Sequence, residues 1–288
     1  MGQQLKRRPR PALCRAAVVA ILGALLFLAG CSAETQHQWE NLAMPDPATE
    51  QAEHIFYLWR YSWIAALVTG VVVWGLILWV VVRYRRKSDD EIPVQTRYNL
   101  PLEIFYTIAP IIMVIVFFYH TVNVQNAVLE DTDQDYTIDV VGFQWSWTFN
   151  HVLEGETEGP VVYTSGTGSN IPTLMLPVGK TVEFRLNSPD VIHSFGIPGF
   201  LMRMDVVPGR VNHYEVTPET EGTFAGKCYE LCGTSHSRML FNVEVVSESE
   251  YLAHLDELEA QGNYSEESLL GGNFVNEQVG LDQEEESE

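Results

Sequence analysis

Cysteine is scarce in this chain: four residues in 288 are too few to staple a scaffold of this size with disulfides. Bases are scarce too. Seventeen Lys and Arg face 38 Asp and Glu, for a formal charge of -21. That balance excludes a nucleic-acid-binding surface, which needs cations to displace counterions from phosphates. No internal repeat is visible. What is present is 46% hydrophobic residues, enough for a core in one or two domains. The mean hydropathy of -0.01 is that of a soluble protein, but it averages over very uneven segments.

Residues 1–30 hold Lys6, Arg7, Arg8, Arg10 and Arg15 and no acid, followed by the apolar run Ala16–Ala29. A basic stretch before roughly 14 apolar residues, too few to span a bilayer, reads as a secretory signal. It ends Leu28-Ala29-Gly30-Cys31, which resembles the lipobox of bacterial lipoproteins and implies lipidation at Cys31. An ordinary signal peptide, or an uncleaved anchor, with an incidental cysteine is the alternative.

Two further runs are long enough to cross a membrane. Ser62–Val82 has 21 residues without a charge, and Ile104–Val122 has 19, interrupted by Pro110. The connecting segment 83–103 carries Arg83, Arg85, Arg86, Lys87 and Arg97, which by the positive-inside rule places it in the cytoplasm. The expected organisation is a signal over 1–30, an exported segment over 31–61, a transmembrane hairpin over 62–122 and an exported domain over 131–247. An acidic tail, 248–288, completes it. Residues 122–288 hold 29 acids and 6 bases, so the exported side is strongly acidic.

From residue 136 the pattern turns to short runs at period two: 136–149, 173–176, 181–187, 192–197, 212–217, 223–227 and 240–246. Turn signals such as Pro177-Val-Gly179, Ser188-Pro189-Asp190 and Pro208-Gly209 separate them. Seven or so strands predict an all-β Greek-key sandwich. Residues 150–170, rich in Gly, Ser, Thr and Glu, read as a surface loop. Tyr251, Leu252, Leu255 and Leu258 form one stripe of a short helix that docks on the sandwich. Beyond Asn263 the composition favours disorder.

Chemistry concentrates in Gly226-Lys-Cys228-Tyr-Glu230-Leu-Cys232-Gly-Thr-Ser-His236-Ser-Arg-Met239, with His193 upstream in Val-Ile-His193-Ser-Phe. Thiolate, thioether and imidazole together select copper over hard cations. A disulfide in an oxidising compartment, structural zinc, or a single copper with a spare thiol are the other readings of these residues.

The stretch resembles the CuA segment of cytochrome c oxidase subunit II, whose pattern C-x-E-x-C-G-x-x-H-x-x-M with an upstream H-S-F is matched at every metal-binding position. The likeness runs over about 55–250 and leaves out the C-terminal tail. It implies a transmembrane hairpin carrying a cupredoxin-like domain. It further implies that Cys228 and Cys232 bridge two coppers. His193 and Met239 would complete one, and His236 and the carbonyl of Glu230 the other. Gly142-Phe-Gln144-Trp145-Ser-Trp147 resembles the family's aromatic segment, making Trp145 the entry point for electrons. Two tryptophans filling a core is the plainer account of that segment.

Asp205-Val-Val-Pro208-Gly209-Arg210 resembles the contact with the haem-bearing subunit I, where the Glu230 carboxylate would reach a magnesium ion. Glu103 matches a Glu placed at the mouth of a proton pathway, with a plain interfacial carboxylate as its alternative. Arg238, Leu240 and Ser146 depart from the family's usual residues without removing a ligand. His37, His54, His120, His151, His213 and His254 match no ligand position.

The likeness implies electron transfer from cytochrome c to haem in subunit I, beside subunit III, in a bacterial cell membrane, with oxygen reduced to water and protons translocated. A quinol-oxidase subunit II, the copper domain of nitrous oxide reductase and a membrane-anchored copper chaperone are the rival readings. The first lacks the ligands, the second lacks the hairpin, and the third has no need of the Trp145 segment.

Overall fold

The computed structural model describes residues 32–88, 92, 94–153 and 159–270. The expected secretory signal and Cys31 therefore lie outside the described residues, as does the tail from 271. The chain divides into two units, the first ending at Met44 and the second starting at Pro45. Within the first, helix α1 spans Ala33–Glu40, its N-terminus capped by the Ser32 hydroxyl, which accepts from Thr35 N at 3.2 Å.

The second unit begins with two long helices, α2 (Glu50–Arg83, 34 residues) and α3 (Leu100–Val128, 29 residues). At 1.5 Å per residue they reach roughly 51 and 44 Å, more than the ~30 Å hydrocarbon core requires. Both are apolar enough to cross a membrane, and their apolar side chains are largely exposed. Pro110 sits inside α3 without ending it. Asn99 caps α3, its side chain accepting from Leu102 N at 3.4 Å while Glu103 accepts from Asn99 N at 2.9 Å. Glu103 thus has a capping role that its position in the sequence did not announce.

The start of α2 is bound to the domain that follows. Ala48 N donates to Gly199 O at 2.9 Å, Glu219 N to Ala48 O at 2.9 Å, and Thr217 N to the Gln51 side chain at 2.9 Å. Ala48, Thr49 and Ala52 are buried there.

That domain is a sandwich of two sheets. The strands are β1 (Tyr136–Phe143), β2 (Ser146–Val152), β3 (Val161–Ser165), β4 (Thr173–Pro177), β5 (Val182–Asn187), β6 (His193–Ile197), β7 (Met202–Val206), β8 (Asn212–Val216), β9 (Gly222–Cys228), β10 (Leu240–Val246) and β11 (Tyr264–Ser265). One sheet has the order β11-β3-β2-β1-β5-β8, the other β4-β10-β9-β6-β7. The pairs β1–β5 and β4–β10 are parallel, so the chain crosses over twice instead of meandering. Residues at alternate positions meet between the sheets: Ile138, Val140, Trp147, Phe149, Phe184, Leu186, Phe195 and Phe241 are all buried. Phe195 and Phe241 stack, their ring centroids 4.9 Å apart.

The structure departs from the sequence expectation in four places. The run 136–149 is a hairpin, with Phe143 paired to Ser146 around the two residues Gln144 and Trp145. The expected surface loop over 150–170 contains the end of β2 and all of β3, because Val161 and Val162 are fully buried and pair with β2. Helix α4 (Glu248–Ala260) does dock, through Tyr251, Leu255 and Leu258, but Leu252 is exposed. Disorder does not begin at Asn263. Strand β11 pairs with β3, Ser268 bonds Asp139, and Leu269 exchanges two hydrogen bonds with Asn150. Backbone pairing and buried polar partners override the polar composition over 150–170 and after Asn263.

Candidate metal centre

His193 opens β6, Cys228 closes β9, and Met239 immediately precedes β10. Three strand ends of one sheet therefore converge at one end of the sandwich, and the loop from Cys228 to Met239 supplies the remaining donors. The loop is held shut by Cys228 N, which donates to Met239 O at 3.0 Å.

The donor atoms form a cluster. Cys228 Sγ lies 3.9 Å from Cys232 Sγ, 3.9 Å from His193 Nδ1 and 3.2 Å from the carbonyl oxygen of Glu230. Cys232 Sγ lies 3.6 Å from His236 Nδ1 and 3.7 Å from Met239 Sδ. Both thiols are free and buried, so a disulfide is not the state of this pair. The ligand atoms of His193, Cys228 and Cys232 all lie within 4.8 Å of one another. His236 is half-buried, and the Glu230 side chain is exposed. Two thiols, two imidazole Nδ1 atoms, a thioether and a carbonyl suit a soft, thiophilic metal and fit copper.

Electrostatics agree with that use. The hydrogen bond with Cys232 pulls the Cys228 thiol down to about 3 against the opposing effect of burial, and His193 adds to the pull. The same bond, together with burial, pushes Cys232 up. Burial alone would lower His193, but its bonds to Asp190 and Cys228 raise it above the ordinary imidazole value. Burial would likewise raise Asp190, yet hydrogen bonds from His193, Val191 N and Gln144 N hold its carboxyl below the usual range.

The two tryptophans separate cleanly. Trp147 is buried, edge-on to Phe195 and Phe241 at 5.5 Å each, and fills the core. Trp145 is half-buried beside the donor loop, where its indole N–H donates to Cys232 O at 3.2 Å and the Gln144 amide to the same oxygen at 2.7 Å. Gly233 is required here: it has φ +131°, and a Cβ would lie 2.9 Å from the Trp145 ring.

Asp205 and Arg210 flank an exposed turn closed by Arg210 N donating to Val207 O at 3.1 Å, with Gly209 at φ +75°. Glu103 is on α3, outside this cluster. Sequence reasoning passed over Gln144 and Asp190. The available signal is an acid three residues ahead of His193, which in the sequence stands only as part of a turn.

The fold and donor set define a membrane-anchored β-sandwich bearing a soft-metal cage at one end. Residues 37–122 match the family description "Cytochrome C oxidase subunit II, transmembrane domain", and residues 169–246 match "Cytochrome C oxidase subunit II, periplasmic domain". A "Probable cytochrome c oxidase subunit 2" of Streptomyces coelicolor is 46% identical over 290 residues, covering 89% of this chain and 91% of the relative. A "Cytochrome c oxidase subunit 2" of Mycobacterium tuberculosis is 36% identical, over 86% of this chain and 83% of the relative. The crystal structure of the periplasmic domain of subunit II of cytochrome oxidase of Bradyrhizobium japonicum is similar at 27% identity and a TM-score of 0.40, over 45% of this chain and 97% of that domain. The chain belongs to the cytochrome c oxidase subunit II family.

Proposed function

We propose that this chain is the electron-entry subunit of a bacterial haem–copper oxidase, taking electrons from cytochrome c and delivering them to haem in subunit I. The observation that carries the reading is the pair of free, buried thiols 3.9 Å apart, each with an imidazole Nδ1 within 3.9 Å, and with Met239 Sδ 3.7 Å from Cys232.

Cys228, Cys232, His193, His236, Met239 and the carbonyl of Glu230 would together hold a binuclear copper centre. When bound, the copper pair supplies reversible one-electron acceptance with little nuclear rearrangement. The protein's part is rigidity: donors set at strand ends of a packed sheet cannot relax far, and hydrogen bonds behind them fix their direction. Trp145 fastens a half-buried aromatic ring to the Cys232 carbonyl, which suits it to receive electrons from a docked donor. The excess of 29 acids over 6 bases in residues 122–288 favours a basic donor, steered in by charge and less so as salt rises.

The Asp205–Arg210 turn and the exposed Glu230 carboxylate are assigned to the contact with subunit I. One carboxylate cannot hold a magnesium ion alone, so that ion would need ligands from subunit I. Subunit III completes the assembly, and Glu103 is assigned to the entrance of a proton path. Oxygen reduction and proton translocation belong to the whole oxidase. The two long apolar helices support a multi-pass location in the bacterial cell membrane, and the basic residues of 83–103 favour that segment inside and the sandwich outside. Cys31 is assigned as a lipid anchor. A copper chaperone is the weaker reading, since it favours exposed, exchangeable donors, and Cys228, Cys232, His193 and Met239 are all buried.

The test is copper stoichiometry and electron paramagnetic resonance on the oxidase purified with the full chain. Two coppers per chain beyond those of subunit I, with a mixed-valence signal, are expected. One copper with a single blue band, or a Cys228–Cys232 disulfide without copper, overturns the reading.

A further inference from the structure

Asp190 lies in the turn between β5 and β6, and its carboxylate is the node of the hydrogen bonds behind the cage. Oδ1 accepts from His193 Nε2 at 2.8 Å, from Val191 N at 2.5 Å and from the Ser188 hydroxyl at 3.2 Å. Oδ2 accepts from Gln144 N at 2.7 Å. The bond to Nε2 fixes the proton on that nitrogen and leaves the Nδ1 lone pair facing Cys228 Sγ. The bond to Gln144 fixes the two-residue turn whose side chains both reach Cys232 O. Among the described residues, no carboxylate is bonded to His236, so the two histidines are held differently.

We propose that Asp190 is a positioning residue that locks the ligand His193 and the donor-side turn Gln144-Trp145 into one unit, making the His193 side of the centre the more electron-rich. The proposal rests on the copper reading above. A carboxylate hydrogen-bonded to a ligating imidazole makes it a stronger donor and favours the oxidised metal. Without it the centre becomes easier to reduce. Release of Gln144 also lets Trp145 move off the Cys232 carbonyl, slowing electron entry even when donor is saturating.

The experiment uses the assembled oxidase carrying Asp190→Ala, Asp190→Asn or, as a charge control at an exposed acid, Glu221→Gln. The reduction potential of the centre, its paramagnetic resonance spectrum and turnover against cytochrome c concentration are measured for each. Expected for Asp190→Ala are a raised potential, altered copper hyperfine structure and several-fold lower kcat. Asp190→Asn, which keeps one oxygen for either partner, should fall between, and Glu221→Gln should match the wild type in potential and spectrum.

A wild-type potential and spectrum in Asp190→Ala, with only KM and salt dependence changed, would reduce Asp190 to a docking charge and overturn the proposal. If Asp190→Ala does not assemble, an unchanged potential in Asp190→Asn overturns it equally. A wild-type oxidase without the copper signal would instead defeat the reading of the cage itself.

Discussion

The indole Nε1 of Trp145 donates to the backbone carbonyl of Cys232 at 3.2 Å, so the half-buried aromatic ring is fastened to the residue that supplies one of the two thiols. Its neighbour two positions on, Trp147, points between the sheets instead. One short aromatic segment therefore does two jobs, because Trp145 lies in the turn that joins β1 to β2 while Trp147 lies inside β2.

Trp145→Phe should leave copper content and spectrum close to wild type while lowering electron entry from cytochrome c by tenfold or more, read by stopped-flow reduction of the centre. Trp147→Ala should do the reverse. It opens a cavity in the core and costs about 3–5 kcal/mol of stability, read by thermal or denaturant unfolding.

Met239→Leu replaces a fully buried thioether by a side chain of similar volume, which costs the fold less than about 1.5 kcal/mol. The donor 3.7 Å from Cys232 Sγ is lost with it. The expected outcome is a folded, assembled oxidase whose copper spectrum and reduction potential are shifted. An unchanged potential would remove Met239 from the ligand set.

His151 lies beneath helix α4, its Nδ1 3.0 Å from the Tyr251 hydroxyl. Burial, and secondarily the nearby His254, lower its pKa from the ordinary 6.5 to about 3. His254 is lowered too, by burial against the opposing pull of Glu257 and Glu244. Below pH 6.5 the unfolded chain takes up a proton at His151 that the folded chain refuses. The contribution is thus complete above about pH 6.5 and is lost as pH falls toward 3, at up to about 1.4 kcal/mol per pH unit. Hydrogen exchange in Glu248–Ala260 should quicken over that window. His151→Phe should flatten the dependence, and an equally steep slope in that variant would rule His151 out as its source.

Deleting 264–288 removes β11, the bond of Ser268 to Asp139 and both bonds of Leu269 to Asn150. Leaving Asn150 Oδ1 buried without its partner costs about 1–3 kcal/mol, so the truncated protein should unfold earlier. Its copper spectrum should not change. Strand β10 separates Met239 from α4 by seven residues, roughly 20 Å of extended chain, so the tail bears on the opposite end of the sandwich. A changed spectrum would show that the tail shapes the cage.

Much of this protein was legible in the chain itself, since its strongest signals are local. Long apolar runs without a charge announce α2 and α3, because a bilayer demands a minimum length of them. The spacing from Cys228 to Met239 announces the cage, because one tight loop supplies most of its donors. Period-two alternation announces most strands. What the sequence could not decide was whatever depends on residues far apart meeting. The turn at Gln144-Trp145 contains neither Gly nor Asn; it forms where Asp190, 46 positions on, accepts the Gln144 N–H and Cys232 O accepts both side chains. Strand β3 and the segment after Asn263 read as loop and tail until their backbone groups find β2, β3 and Asn150. The tautomer of His193 is set locally, by the carboxylate of Asp190 three residues ahead, but only the pairing of β6 with β9 brings its lone pair to Cys228, 35 positions on, because sheet pairing joins residues far apart in the chain.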